Sequence, residues 1–130
     1  MTILPDTNVY AAFKRGHPEV LSRVRAAERI LLSAVVAGEL LFGFHHGNRT
    51  EPNRAELQLF LASPHVLLLP VTWTTADRFG RLAAQLRRAG RPLPTNDLWI
   101  AAHAIESGAE LLSFDDHFSA IDGLVWTRLR

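Results

Sequence analysis

The stretch Ile30–Phe44, with the sequence ILLSAVVAGELLFGF, indicates the fold class, because it changes from a strand pattern to a helix pattern. It opens on three apolar residues, as a buried strand does, and continues to Ser33, a residue type that commonly caps helix N-termini. The residues that follow predict a helix to about His45, which Gly47 ends. A buried strand that passes directly into a helix is the repeating unit of a parallel α/β fold.

The same alternation of strand and helix extends in both directions along the chain. No low-complexity linker or repeat interrupts it, so we expect one domain over residues 1–130, built as a three-layer α/β/α sandwich around a central parallel sheet. The predicted helices cover residues 8–15, 17–27, 33–45, 51–61, 74–89 and 96–107. The predicted strands are Thr2–Pro5, Ile30–Leu32, Val66–Val71, Leu111–Phe114 and Leu124–Trp126.

Composition narrows the possible functions. The chain has no cysteine, which excludes disulfides, zinc–thiolate sites and thiol nucleophiles. Its longest apolar run, Ile30–Phe44, contains Glu39 and is too short to span a bilayer, so we expect a soluble, cytoplasmic protein. All but one of the 14 basic residues are Arg, which suits phosphate recognition, although a GC-rich genome would favour the same codons.

Four acidic residues lie where an apolar segment ends or a helix begins: Asp6, Glu39, Asp97 and Asp115. In open α/β folds such positions converge at the carboxyl edge of the sheet, where these folds keep their sites. Two carboxylates about 4 Å apart repel by roughly 4 kcal/mol at an effective dielectric constant of about 20. A divalent cation with oxygen ligands, Mg²⁺ or Mn²⁺, is the expected neutraliser. The pattern therefore predicts a metal-dependent enzyme that cleaves phosphodiesters.

Each acid also has a purely structural explanation. Asp6 is suited to cap the following helix, Asp97 lies in a first turn where the helix dipole favours an anion, and Asp115 lies in a turn after a strand. Glu39 has no charged neighbour three or four residues away, so it must protonate, pair, bind metal or extend to solvent. The four residues together indicate a site more specifically than any one of them.

Four segments, in this order and spacing, resemble the PIN-domain ribonucleases, and in particular the VapC-type toxins of bacterial toxin–antitoxin pairs. The resemblance covers the chain from about residue 3 to residue 126 and implies the PIN-like fold. The segments are DTNV at Asp6–Val9, SAVVAGELLFG at Ser33–Gly43, LPTNDLWIAAHA at Leu93–Ala104 and LLSFDDHF at Leu111–Phe118, the last followed by IDGL at Ile121–Leu124.

The resemblance assigns the metal ligands, which are also the catalytic residues, to Asp6, Glu39, Asp97 and Asp115. Asp116 competes with Asp115, because a shift of one residue would exchange them, and the position two residues after Ser113 favours Asp115. The chain departs from the family pattern at Pro5, where an aliphatic residue is usual, and at Ser113, where Thr is common. Because Pro5 lacks an N–H group, we expect the end of its strand to be locally unpaired.

Five polar residues next to the acids are expected to support them. Thr7 and Asn8 can hold the second oxygen of Asp6 or a metal-bound water, and Thr95 is suited to cap the helix that carries Asp97. The full supporting set is Thr7, Asn8, Thr95, Asn96 and Ser113.

The expected reaction is an in-line attack on phosphorus by a metal-activated water, with one or two Mg²⁺ or Mn²⁺ ions, which leaves 5′-phosphate and 3′-hydroxyl ends. This chemistry requires no 2′-hydroxyl group. A rival mechanism would use His103 or His117 as an acid or base and would leave a 2′,3′-cyclic phosphate.

The RNA substrate and the protein partners are implied by the resemblance. Arg78, Arg81 and Arg88 share one side of a predicted helix and Arg91 follows its end, so we expect them to steer the RNA backbone to the acids; a solvated helix face is the alternative. The resemblance also implies a homodimer and a small VapB-like antitoxin. Four apolar residues are equally suited to an antitoxin groove or to the core: Val36, Leu40, Phe44 and Leu57.

Other protein classes of this size fit less well. A receiver-like signalling domain requires an Asp after its third strand and a late Lys, but the only Lys is Lys14. A HAD-type phosphohydrolase requires Asp-x-Asp after its first strand, where this chain has Asp6-Thr7-Asn8. Two alternatives stay open: a PIN-like module that binds RNA or a protein without cutting, and a PIN nuclease outside any toxin–antitoxin pair.

Overall fold

A five-stranded sheet lies at the centre of the computed structural model, which describes residues 1–130. All four strand pairings are parallel, and the spatial order is β3-β2-β1-β4-β5. The predicted parallel α/β fold is therefore confirmed. The strands are β1 (Thr2–Pro5), β2 (Arg29–Ser33), β3 (Val66–Leu69), β4 (Glu110–Ser113) and β5 (Trp126–Arg128).

Six helices connect the strands at nearly the predicted positions. The stretch Ile30–Phe44 forms the predicted strand and helix. Ser33 ends β2, and its hydroxyl accepts a hydrogen bond from the Val35 N–H at 3.1 Å. No helix is both long and apolar enough to cross a membrane. The helices are α1 (Thr7–Lys14), α2 (Pro18–Ala26), α3 (Ala34–His46), α4 (Thr50–Leu61), α5 (Trp73–Arg88) and α6 (Thr95–Ser107).

Alternate strand residues build two cores, one on each face of the sheet. Ile3, Ile30 and Leu112 pack with residues of α1 and α2 in the smaller core. Leu4 and Leu111 pack with residues of α3, α5 and α6 in the larger one. The strands are thus apolar on both faces, as the side-chain period of two requires for a buried parallel sheet.

Most predicted boundaries shift by one or two residues, and three of these shifts affect a predicted site residue or have a local cause. Strand β3 ends at Leu69, because Pro70 has no N–H to donate to a ladder. Strand β5 begins at Trp126 instead of Leu124, because the chain first turns at Gly123, whose φ is 80°. Helix α6 begins one residue early, so Thr95 is its first residue and not its cap.

Three of the four residues considered for an antitoxin groove belong to the core. Val36, Leu40 and Leu57 are only 0%, 6% and 2% exposed, so for them the core is the correct alternative, although Leu40 also borders a surface depression. Phe44 is half-buried and lines a depression of about 180 Å³ between α1, α3 and α4. The other lining residues are Tyr10, Ala11, Lys14, Leu40, Asn53 and Glu56.

The strand order places a topological switch point between β1 and β4. The chain leaves β1 for β2 on one side and returns through α5 and α6 to β4 on the other. In open α/β sheets a crevice forms outside the carboxyl ends of the two strands at such a point, and ligands bind there. In this chain those ends carry Asp6 and, two residues after β4, Asp115.

Candidate active site

All four predicted acids line one cavity of about 170 Å³ at the switch point. No Lys or Arg is among the lining residues. A larger and more open depression of about 560 Å³ lies along α2 but has a single charged residue, Arg25. The acidic cavity is therefore the candidate active site, because it groups four ionisable side chains. Its lining residues are Asp6, Thr7, Asn8, Glu39, Asn96, Asp97, Ile100 and Asp115.

Asp6 joins β1 to α1 and has two structural bonds. Its Oδ1 accepts the N–H of Val9 at 3.1 Å and so caps α1, while its Oδ2 accepts the Ser113 hydroxyl at 2.5 Å. The ladder continues past Pro5, because the Asp6 N–H donates to the Leu112 carbonyl at 3.0 Å. The expected unpaired strand end is therefore absent, and the capping and pocket explanations of Asp6 are both correct descriptions of its position.

Burial raises the pKa of the Asp6 carboxyl, although the Ser113 hydroxyl and the Val9 N–H favour its charged form. Asp97 and Asp115 raise this pKa further through charge repulsion. Asp6 is only 9% exposed, so water screens this repulsion poorly. The carboxylate is held in place by hydrogen bonds, yet its charge has no cationic partner.

Ser113 connects two of the acids. Its hydroxyl donates to Asp6 and accepts the N–H of Asp115 at 3.0 Å. Asp115 lines the cavity, whereas Asp116 is exposed and does not. The geometry thus favours Asp115 over its neighbour.

Glu39 is held by two neutral side chains from other helices. Thr7 donates its hydroxyl to Oε1 at 2.6 Å, and Asn96 donates its amide to Oε2. Thr7 thus bonds to Glu39 and not to the second oxygen of Asp6, which accepts from Ser113; its contact with a metal-bound water stays a prediction. Asn8 lines the cavity with an exposed side chain, and Thr95 is exposed outside it.

His117 is the residue whose contacts the sequence did not reveal. Its Nδ1 lies 3.1 Å from Asp97 Oδ2 and 3.2 Å from Asp115 Oδ2. The hydrogen bond to Asp97 and the charges of nearby acids raise the pKa of His117. Its place two residues after Asp115, at the start of a 3₁₀ turn (His117–Ala120), was the only available signal.

The pKa of Asp97 is also raised, chiefly by burial, with repulsion from Asp115 and Glu39 adding to it and the His117 hydrogen bond opposing it. Two acids of the cavity therefore resist ionisation. The one cationic side chain beside them is a half-exposed imidazole.

His103, the other histidine considered for catalysis, lies elsewhere. It is 1% exposed, with Nδ1 at 2.8 Å from the Ser33 hydroxyl and Nε2 at 3.0 Å from the Pro70 carbonyl. A carbonyl only accepts, so Nε2 carries a proton. The ring joins the ends of β2 and β3 to α6 and does not line the cavity.

The four arginines expected to bind RNA fall into two groups. Helices α5 and α6 are antiparallel, with Thr75 donating to Glu106 at 2.7 Å and Phe79 stacking on Trp99 at a centroid distance of 4.0 Å. Arg78 and Arg81 line a separate depression of about 250 Å³ with Ile105 and Asp122. Only Arg88 and Arg91 lie at the end of α5 nearest the start of α6.

Arg78 and Arg81 are therefore not beside the acids. Ile105, which shares their depression, is eight residues after Asp97, or roughly 12 Å along α6 at a rise of about 1.5 Å per residue. Arg81 also pairs with Asp77 at 3.2 Å. Contact of these two residues with RNA would require a substrate that extends over more than one nucleotide.

Comparisons with known proteins agree with this geometry. The PIN domain family model matches residues 3–124. Ribonuclease VapC2 of Haemophilus influenzae is 33% identical over 110 residues, which cover 83% of this chain and 82% of the relative. The structure of VapBC-1 from nontypeable Haemophilus influenzae has a TM-score of 0.85 at 27% identity and covers 98% of this chain and 97% of that one.

A second solved structure is VapBC-5 from Mycobacterium tuberculosis, a member of the VapBC family of toxin–antitoxin systems. It has a TM-score of 0.70 at 28% identity and covers 99% of this chain and 98% of that one. The match of the family model extends from β1 to the turn before β5 and includes all four acids of the cavity. The chain belongs to the PIN-domain family, and within that family to the VapC group.

Proposed function

We propose that the chain is a Mg²⁺- or Mn²⁺-dependent endoribonuclease and the toxin of a VapBC-type toxin–antitoxin pair. One observation carries the proposal: four carboxylates from β1, α3, α6 and the end of β4 line a single cavity that has no Lys or Arg. The ribonuclease relative supports RNA as the substrate class, and the VapBC-5 structure supports the toxin–antitoxin pair.

The donor set fits a hard divalent cation. All four acids offer oxygen ligands, the type that Mg²⁺ and Mn²⁺ prefer. Burial, with repulsion between the acids adding to it, raises the pKa values of Asp6 and Asp97, and a bound cation would oppose both effects. As the side chains stand, no three His, Asp or Glu residues are arranged to share one ion. Binding of one ion by three of these residues therefore requires their side chains to rearrange.

When bound, the ion would neutralise the carboxylates, lower the pKa of water and stabilise charge on the scissile phosphate. Thr7 and Asn96 would keep Glu39 oriented toward the cavity, and Ser113 would hold Asp6. Water oxygen forms the new bond to phosphorus and the bond to the 3′-oxygen breaks. The leaving oxygen takes a proton, so the ends are 5′-phosphate and 3′-hydroxyl.

A partner surface is part of the same proposal. We infer that a VapB-like antitoxin covers the depression between α1, α3 and α4, and that two copies of the chain associate. Two features support a covered depression: the Lys14–Glu56 ion pair at its rim, with a 2.8 Å contact, and the buried Tyr10 hydroxyl, which has no hydrogen-bond partner. A buried hydroxyl without a hydrogen-bond partner lowers the stability of the folded protein.

A module that binds RNA without cutting is the second candidate. It is favoured by one observation, that both oxygens of Glu39 are already hydrogen-bonded to Thr7 and Asn96. If these bonds persist with RNA present, each Glu39 oxygen keeps only one lone pair for a metal, which weakens it as a ligand.

The test is cleavage of a mixed RNA pool with Mg²⁺ or Mn²⁺ and with EDTA. Asp115→Asn and Asp116→Asn form a matched pair, because they remove adjacent charges of which only the first lines the cavity. We expect metal-dependent cleavage that leaves 5′-phosphate ends, falls at least a hundredfold in Asp115→Asn and persists in Asp116→Asn. RNA binding without cleavage would support the second candidate, and a 2′,3′-cyclic phosphate would contradict the mechanism.

A further inference from the structure

Phe42 is an exposed aromatic residue in the middle of α3. Its side chain is 74% exposed, although phenylalanine is normally buried. The ring lies almost parallel to that of His46, with an interplanar angle of 21° and centroids 6.1 Å apart. The two rings therefore present flat surfaces to solvent, and neither contributes to the core.

The position of these rings follows from the helix period. Phe42 and His46 are three and seven residues after Glu39, which places them on the same side of α3 and about 5 and 10 Å farther along its axis. Gly43 lies between them, and the space where its Cβ would be has no atom within 4 Å. The surface that leads from Glu39 to the ring pair is therefore open.

We propose that Phe42 and His46 form a stacking platform for an unpaired RNA base next to the scissile phosphate. This inference rests on the proposed nuclease function and adds a substrate contact to it. Aromatic side chains bind single-stranded RNA by stacking on its bases, which requires an exposed ring and no hydrogen-bond pattern. Exposed rings on the helix face that carries a cavity acid meet this requirement.

The local charge favours RNA as the occupant. Between Glu39 and Glu51 the chain has no acidic residue, and it has one Arg, at position 49. A phosphate backbone that approaches the rings thus meets no further repulsion from this segment. An apolar protein partner would use the same rings through packing alone, and this difference makes the two occupants separable.

The experiment uses the full chain and a short single-stranded RNA that contains a cleavage site mapped from the RNA pool. Phe42→Leu keeps an apolar side chain without a π face, and Phe42→Trp keeps the π face. Leu59→Ala is the control, because Leu59 is 73% exposed on the neighbouring helix α4. We expect Phe42→Leu to lower kcat/KM about five- to tenfold, Phe42→Trp to retain it and Leu59→Ala to leave it unchanged.

A second arm removes the base instead of the ring. Oligonucleotides with one abasic site on either side of the cleavage position should show one position at which wild type loses the same five- to tenfold. Phe42→Leu should lose no more at that position, because the two changes remove one contact.

Three outcomes are informative. Equal kcat/KM for wild type and Phe42→Leu would overturn the platform while the nuclease stands. A loss in Phe42→Leu that is independent of the abasic site, or that accompanies a changed oligomeric state in gel filtration, would assign the rings to a protein contact. A wild type that neither binds nor cuts RNA would contradict the proposed function as well.

Discussion

Acidic side chains at the amino edge of the sheet, where the strands begin, have different partners from those at the carboxyl edge, where the strands end. Strand β4 has an acid near each end. At its amino end Glu110 bonds to the Arg23 guanidinium and to the Thr127 hydroxyl. Beyond its carboxyl end Asp115 shares a cavity with three further acids and meets only an exposed imidazole. One edge has an acid that pairs with Arg, and the other has four acids whose one cationic neighbour is the half-exposed His117.

This difference separates structure from function. A half-buried acid that pairs with Arg has a structural role, because each charge compensates the other within the protein. At the carboxyl edge, burial raises the pKa values of Asp6 and Asp97, and repulsion from the neighbouring acids raises them further, so the fold has no stability to gain from their ionised forms. Perturbed acids in a cleft are therefore candidates for binding and catalysis.

The largest stability effect is expected at the amino edge. Glu110→Gln leaves the Arg23 guanidinium without a carboxylate, so the free energy of unfolding should fall by about 2 kcal/mol in chemical denaturation. Glu28→Gln is the control, since Glu28 pairs with the N-terminus but is 84% exposed. Asp97→Asn should cause no comparable loss, and an equal loss would remove the distinction between the edges.

The two histidines permit a matched test of the same substitution. His103→Gln breaks a buried network to Ser33 and Pro70 and should lower the free energy of unfolding by about 1–2 kcal/mol, with RNA cleavage retained at 25 °C. His117→Gln changes an exposed side chain and should have a smaller effect on stability. Loss of cleavage in a folded His103→Gln protein would revive the histidine mechanism.

Divalent metal should stabilise only through the carboxyl edge. At a Mg²⁺ concentration ten times the Kd, the gain is about 1.4 kcal/mol, which raises the thermal midpoint by about 5 °C. Glu110→Gln should keep this shift, and Asp97→Asn should lose most of it. A thermal scan with Mg²⁺ and with EDTA measures both, and a shift that survives Asp97→Asn would place the ion elsewhere.

The smallest effect is a pH dependence with an unusual sign. The folded pKa values of Asp6 and Asp97 are raised above 3.8, so their protonated forms favour the folded state, and this contribution is lost as the pH rises through the raised values. His117, with a folded pKa above 6.5, loses its contribution at higher pH still.

Without metal, the free energy of unfolding should therefore decline from about pH 4 upward, and Mg²⁺ should remove the decline because it replaces the protons. Urea denaturation in EDTA at several pH values provides the measurement. His117→Gln should abolish only the part above pH 6.5, and a metal-free stability that rises with pH would contradict the account.

Local signals were sufficient for the elements and for the identity of the acids. Ser33 caps α3 as its residue type predicts, and Gly108 ends α6 with a φ of 73°, because both depend on neighbouring backbone alone. The alternation of apolar strand segments with helices likewise predicted the parallel sheet. The exact boundaries were less predictable: α6 begins at Thr95 instead of Asn96, with Pro94 at the N-cap position that Thr95 was expected to occupy.

Residue types and their order along the chain were enough to identify the acids and to predict the strand segments. They were also enough to predict that each acid follows a strand or lies in a helix. Three features follow from tertiary packing alone: β1 and β4 are adjacent, Thr7 bonds to Glu39 instead of Asp6, and His117 contacts both Asp97 and Asp115. Apart from the contact of His117 with Asp115, two residues before it, these contacts join residues 20 to 107 positions apart. Their geometry depends on strand order and helix packing, and no local pattern of residues encodes it.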